Sequence, residues 1–248
     1  MALIKVEGIV LKETNYSEAS KILTILTKDY GLVSVMAQGC RNLKSKLRGV
    51  SQKFSYGIFT IFYRENGVSN LRAVDILDPF LTMLSDIEKI SYATFLLELS
   101  EQVVKESNSL EVFELLIASL KKINEGYSPN IMTNILELKL LDYLGIRPVI
   151  DGCSICGSTK DIVTVSANDG GYLCKNCLTN QKLYSSRTVK LIRMLFYVDI
   201  NKITKLEIRE ETQKEISEFI DEYYDKYAGI YLKSKNFLKN LNKISKVG

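Results

Sequence analysis

Four of the five cysteines fall in two pairs, Cys153-Ser154-Ile155-Cys156 and Cys174-Lys175-Asn176-Cys177, with 17 residues between the pairs. Two residues between thiolates let the chain turn back and present both sulfurs to one tetrahedral ion at about 2.3 Å. Soft sulfur ligands in a tetrahedral set select zinc in a reducing cell. Four thiolates fill all four positions and leave none for water or substrate, so the expected zinc is structural. Gly157 follows the first pair, where such a knuckle needs positive φ. Two disulfides suit a cytoplasmic chain poorly, and no βαβ unit nearby supports a redox CxxC. Cys40 stands alone and reads as a small apolar filler.

A second cluster has a different chemistry. Residues 38–53 carry Arg41, Lys44, Lys46, Arg48 and Lys53 with no acid in 16 residues. Such a segment attracts a polyanion, and each phosphate contact releases condensed counterions. A solvated basic loop has the same composition; a barrel on either side of it favours binding. Arg64 and Arg72 lie on neighbouring predicted strands and extend the basic face. Tyr56, Phe59, Phe62 and Tyr63 offer stacking faces, although aromatics in strands more often fill a core. Lys233, Lys235, Lys239, Lys243 and Lys246 make the end of the chain cationic, as a second phosphate-contacting surface or an ordinary solvated tail.

Histidine is absent from the 248 residues. That removes the Ser-His-Asp and Cys-His nucleophiles and any mixed Cys/His metal site. No phosphate-cradling GxxxxGK[ST] or GxGxxG motif is present. Glu98, Glu101, Glu106, Glu111 and Glu114 read as a solvated helix face rather than paired catalytic carboxylates. The net charge of +4 is unevenly spread. Residues 1–80 hold 11 basic against 7 acidic side chains, residues 81–150 hold 6 against 10, and residues 151–248 hold 16 against 12. No apolar run approaches a membrane span, and Met1–Gly8 lacks the pattern of a secretion signal, so a cytoplasmic location is expected.

These groups need a scaffold. Lys5–Glu13, Lys21–Thr27, Leu32–Gln38, Phe54–Tyr63 and Val68–Leu77 read as five strands, with Glu65-Asn66-Gly67 as a hairpin turn. Five short strands in about 80 residues fit a small closed barrel, OB-like or SH3-like. From Phe80 to Glu106 the apolar spacing becomes helical, through Leu81, Leu84, Ile87 and Ile90. A second helix is expected over Leu110–Ile123 behind Ser109. A third is capped by Ser128, opens with Pro129 and ends at Gly145, with Ile131, Ile135, Leu138, Leu141 and Leu144 on its apolar face. Ile162–Val165 and Gly171–Leu173 form a hairpin about Asn168-Asp169-Gly170 that brings the cysteine knuckles together. Helical spacing returns at Ser186–Val198 and Glu210–Tyr227. The expected architecture is multi-domain α+β: a barrel over 1–79, a helical domain over 80–150, an inserted four-cysteine module over 151–180, and further helices over 181–248.

Glu7-Gly8-Ile9-Val10-Leu11, then Asn15-Tyr16-Ser17-Glu18-Ala19-Ser20-Lys21-Ile22, then Tyr30-Gly31-Leu32, resembles the start of the bacterial recombination mediator family RecO. Lys44-Ser45-Lys46-Leu47-Arg48-Gly49 is similar to that family's basic loop, and the order of parts agrees over essentially the whole chain. The resemblance implies an OB-fold domain and then a helical domain carrying a zinc module, with the four cysteines matching the zinc-bearing members. It implies binding of single- and double-stranded DNA, annealing of complementary strands, and partnership with RecR and single-stranded DNA-binding protein. It also implies help in loading RecA onto protein-coated strands, without an enzymatic step, near the nucleoid. An RNA-binding factor or a protein scaffold with a zinc module would share much of this composition.

Overall fold

The structure is a computed structural model that describes residues 2–235 together with 237 and 238. Lys239, Lys243 and Lys246 lie outside the described residues. The chain divides into two compact units, one of residues 1–86 and 97–117, the other of residues 87–96 and 118–248.

The first unit is built on five strands: β1 (Ala2–Asn15), β2 (Lys21–Thr27), β3 (Gly31–Ala37), β4 (Tyr56–Tyr63) and β5 (Ser69–Asp78). They close into a barrel in the order β1-β2-β3-β5-β4, with β4 returning to β1. This is the OB-like arrangement, a five-stranded Greek-key barrel. Alternation explains the closure. In β3 the odd residues Val33, Val35 and Ala37 point inward, while Ser34 is exposed. Val6, Val10, Leu23, Ile25, Phe59, Ile61 and Leu71 complete the core, and Cys40 joins it as an apolar filler. One parallel contact, Val35 with Ser69 and Met36 with Asn70, joins β3 to β5 and closes the ring. Gly57 permits the β4–β5 contact, since a Cβ there would stand 2.3 Å from the Asp75 carbonyl oxygen.

The expected single helix from Phe80 is interrupted. Short α1 (Leu81–Leu84) precedes α2 (Ile87–Ser107). Phe80 takes a left-handed conformation, φ 49°, and is fully buried with its ring stacked on Tyr56. Seating that ring sets the chain direction, and Leu81, Leu84 and Ile87 end up exposed although their spacing suggested a buried face. Helix α3 (Glu111–Asn124) begins next to Ser109, whose hydroxyl hydrogen-bonds Glu111. Glu114, farther along α3, pairs with Lys28 at 2.7 Å.

In the second unit α4 (Pro129–Tyr143) is buried on nearly every side from Ile131 to Leu141, so that Thr133, Asn134 and Glu137 are enclosed along with the expected apolar face. The Ser128 hydroxyl accepts from the Ile131 N–H, Pro129 opens the helix, and Gly145 follows it at φ 70°. Helices α5 (Ser186–Tyr197) and α6 (Glu210–Tyr227) pack on α4. Between α4 and α5 a three-stranded sheet of β6 (Val149–Cys153), β7 (Ile162–Ser166) and β8 (Gly171–Cys174) runs in the order β6-β8-β7. No helix among the described residues is long and apolar enough to cross a membrane.

Gly57→Ala is expected to lower barrel stability by about 1–3 kcal/mol through this backbone clash. Urea unfolding at constant m-value checks it, and an unchanged midpoint would contradict the packing described.

Candidate nucleic-acid interface and metal centre

The basic segment leaves the barrel at the end of β3 and is fastened to the β1–β2 loop. The Arg41 N–H donates to the Ala19 carbonyl at 2.9 Å, its guanidinium donates to the Ser17 carbonyl at 2.8 Å, and the Gly39 N–H donates to the Ser20 hydroxyl at 3.2 Å. Successive turns follow, Ser45 N–H to Asn42 and Arg48 N–H to Ser45. Leu47 packs against the barrel core while Leu43 is 82% exposed. Arg41, Lys44, Lys46 and Arg48 all face solvent, and among the described residues none forms an ion pair.

The other predicted cations differ in setting. Lys53 is half-buried beside the Phe54 ring; burial holds its ammonium below the usual lysine range, and Glu98 and Glu13 offset this in part. Arg72 is exposed and lies over the Phe62 ring at 4.5 Å. The β3–β5 register continued two residues places it level with Gln38, where the basic segment begins. Arg64 is also exposed, but it follows Tyr63, whose ring packs on Tyr30 in the β2–β3 turn at 4.9 Å, toward the start of β3 rather than its end. Tyr56 and Phe59 are core residues, and the Tyr56 hydroxyl donates to Glu7 at 2.5 Å. The aromatic beside the basic segment is one the sequence reading missed: Tyr16, 64% exposed in the β1–β2 loop. Its flanking Asn15 and Ser17, turn-forming residues around an aromatic, were the available signal. Lys235, counted with the cationic tail, is engaged internally by Asp221 at 2.8 Å and Asp225 at 3.5 Å.

The four cysteines converge. Their sulfurs all lie within 4.8 Å of one another, and Cys156 and Cys174 Sγ are 3.6 Å apart. Four sulfurs at about 2.3 Å from one ion would stand about 3.8 Å apart, so the set is already near ligating geometry. Strands β6 and β8 run parallel and carry Cys153 and Cys174 into the buried side, where Leu173 packs on both. Gly157 turns the first knuckle at φ 74°, and its N–H donates to the Cys153 carbonyl at 2.8 Å. Gly171 lets the strands meet, because a Cβ there would lie 2.1 Å from the Val149 carbonyl oxygen. The thiol protons are unequally held. Burial opposes ionisation of Cys153, but N–H groups of Cys156, Cys174 and Ile155 outweigh it and bring its pKa to about 6. Cys177, hydrogen-bonded to Cys156 first and then partly desolvated near Cys174 and Cys153, is pushed up to about 12. Once one thiolate forms, the rest resist ionisation; a divalent cation removes that repulsion and displaces the protons.

A polar clasp ties this module to α5. Arg193 Nε donates to Asp151 Oδ1 at 2.9 Å, and the Tyr197 hydroxyl binds the other carboxylate oxygen. The guanidinium groups of Arg147 and Arg193 lie 5.5 and 5.1 Å from the centre of the Tyr197 ring. The Tyr197 hydroxyl first, then Arg193 and Arg147, holds the Asp151 carboxyl below the usual range. These residues are far apart in sequence and gave no pattern to read.

Residues 1–80 match the family described as Recombination protein O N terminal, and residues 84–236 match Recombination protein O C terminal. The chain belongs to the RecO family. A DNA repair protein RecO of Listeria monocytogenes is 35% identical over 243 residues, covering 96% of this chain and 95% of its own. One from Bacillus pumilus is 35% identical over 249 residues, covering 99% of this chain and 97% of its own. RecO membership gives the chain a role in DNA recombination and repair, and the four-cysteine cluster fits zinc.

Cys174→Ser is expected to abolish binding of a single metal ion and to lower the thermal midpoint. Native mass spectrometry checks the first and calorimetry the second; a retained ion would refute the ligand set.

Proposed function

We propose that this RecO chain binds single- and double-stranded DNA through Arg41, Lys44, Lys46 and Arg48 and anneals complementary strands without covalent chemistry. The observation that carries this reading is an exposed, acid-free row of cations fastened to one end of an OB-like barrel. Loops at the ends of such barrels commonly form oligonucleotide sites. Arg72 extends the row, and Tyr16 offers a ring to an unstacked base. Arg64 and the half-buried Lys53 make outer contacts at most. Annealing follows from charge: cations held between two phosphate chains lower their repulsion, and base pairing then supplies specificity.

Zinc, held by Cys153, Cys156, Cys174 and Cys177, supports the fold of the second unit; four thiolates complete its coordination and leave no position for a reacting group. Family membership supports partnership with RecR and with single-stranded DNA-binding protein, and help in loading RecA in the cytoplasm. DNA is the polymer on that ground, since barrel and charge suit RNA equally.

The test replaces Arg41, Lys44, Lys46 and Arg48 by Ala. Each lost phosphate contact lowers the salt slope of single-strand binding by about 0.7, so the variant is expected to lose up to roughly 3 in slope and to anneal slowly. An unchanged slope removes these residues from the interface. Metal analysis of purified protein is expected to return one zinc per chain, and a different ion would overturn that assignment.

A further inference from the structure

The cysteine-bearing sheet and helix α5 leave a cavity of about 460 Å³ between them. Ile162 and Tyr172 line it from the sheet, Val189 and Met194 from the helix. Tyr172 and Val189 are buried, and the Tyr172 hydroxyl donates to the Val189 carbonyl, so an aromatic ring is held fixed against the cavity. Met194 is 43% exposed, and the exposed Lys190 and Arg193 stand at the mouth. No carboxylate lines the cavity among the described residues. An apolar interior of this volume, with a few polar groups converging at its opening, has the character of a ligand site.

The cations say what the ligand carries. Among the described residues Lys190 forms no ion pair, and neither does the exposed Arg187 about one turn earlier in α5. Arg193 donates from Nε to Asp151, which orients the guanidinium and leaves its terminal nitrogens for a second anion. The fitting ligand is therefore an apolar ring joined to phosphates. A nucleotide offers that only when its base is unpaired, since in a duplex the base faces are stacked on their neighbours. We propose that the cavity takes one unpaired nucleotide of a single strand, its base against Tyr172, Val189 and Met194 and the adjoining phosphates on Arg193, Lys190 and Arg187. The inference rests on the DNA binding proposed above and adds a second strand-holding site, in a different unit from the barrel. Annealing brings two strands together, and a site that accepts only unpaired nucleotides releases its strand as the duplex forms.

Methyl NMR of the full chain labelled at methionine and isoleucine reads the cavity directly, because a base ring entering it shifts the Met194 and Ile162 signals. A short oligothymidylate is expected to move both, in the wild type and equally in the variant with Arg41, Lys44, Lys46 and Arg48 replaced by Ala. An abasic strand of the same length is expected to leave them in place. Added to that fourfold variant, Met194→Glu should weaken the remaining single-strand binding at least about 5-fold, the low end for a lost base contact. Lys190→Ala should lower its salt slope by about 0.7. Circular dichroism verifies that these surface variants fold. The fourfold variant's salt slope reports on the barrel site alone, so either site can fail without the other. Signals unmoved by oligothymidylate, or moved as far by the abasic strand, overturn the proposal. So does a Met194→Glu variant that binds as tightly as its parent, or a shift that only an acidic peptide produces.

Discussion

The proposed activity depends on keeping like charges together without neutralising them. Arg41, Lys44, Lys46 and Arg48 repel one another, and a chain free to choose would fold them against carboxylates. Two features prevent that. The backbone of the segment is pinned to the β1–β2 loop by Arg41 and Gly39, and Leu47 anchors its middle in the barrel core. The barrel in turn holds the loop in place, because the short β3–β5 contact closes the ring from which the segment departs. A polyanion then meets cations whose arrangement has already been fixed, so less ordering remains to be done on binding.

The metal module solves a similar problem with opposite sign. Four thiols gathered within a few ångströms resist ionising together without a cation, and Cys153 is drawn down while Cys177 is pushed up. The sheet that gathers them depends on backbone approaches that only glycine allows, at Gly171 and, near the first knuckle, at Gly152. The clasp of Asp151, Arg193 and Tyr197 then fixes the module to α5. A cation at the sulfurs and packing against the helices act on one cooperative unit.

Much of this was legible in the sequence because it rests on local pattern. The five barrel strands, the capped α4 behind Ser128 and Pro129, α6 and the cysteine hairpin all follow from period, punctuation and spacing. What escaped depends on tertiary placement. Helical period encodes neither the break at Ser85–Asp86 between α1 and α2 nor the left-handed turn at Phe80, whose ring stacks on Tyr56 ahead of α1. Lys53 and Lys235 count as plain cations in the sequence, yet one is half-buried and the other is held by two aspartates. Tyr16 gives no sign in the sequence of lying near the basic segment, because that placement comes from the hydrogen bond of Arg41 to the loop that carries it.

The position of Cys40 has a practical corollary. It is sealed inside the barrel at 1% exposure, whereas the remaining four cysteines gather at one centre and Cys156 reaches solvent. Sulfhydryl reagents applied to the native chain therefore report on that centre alone. An ion held there would shield those four sulfurs and slow the reaction, while Cys40 would contribute no background.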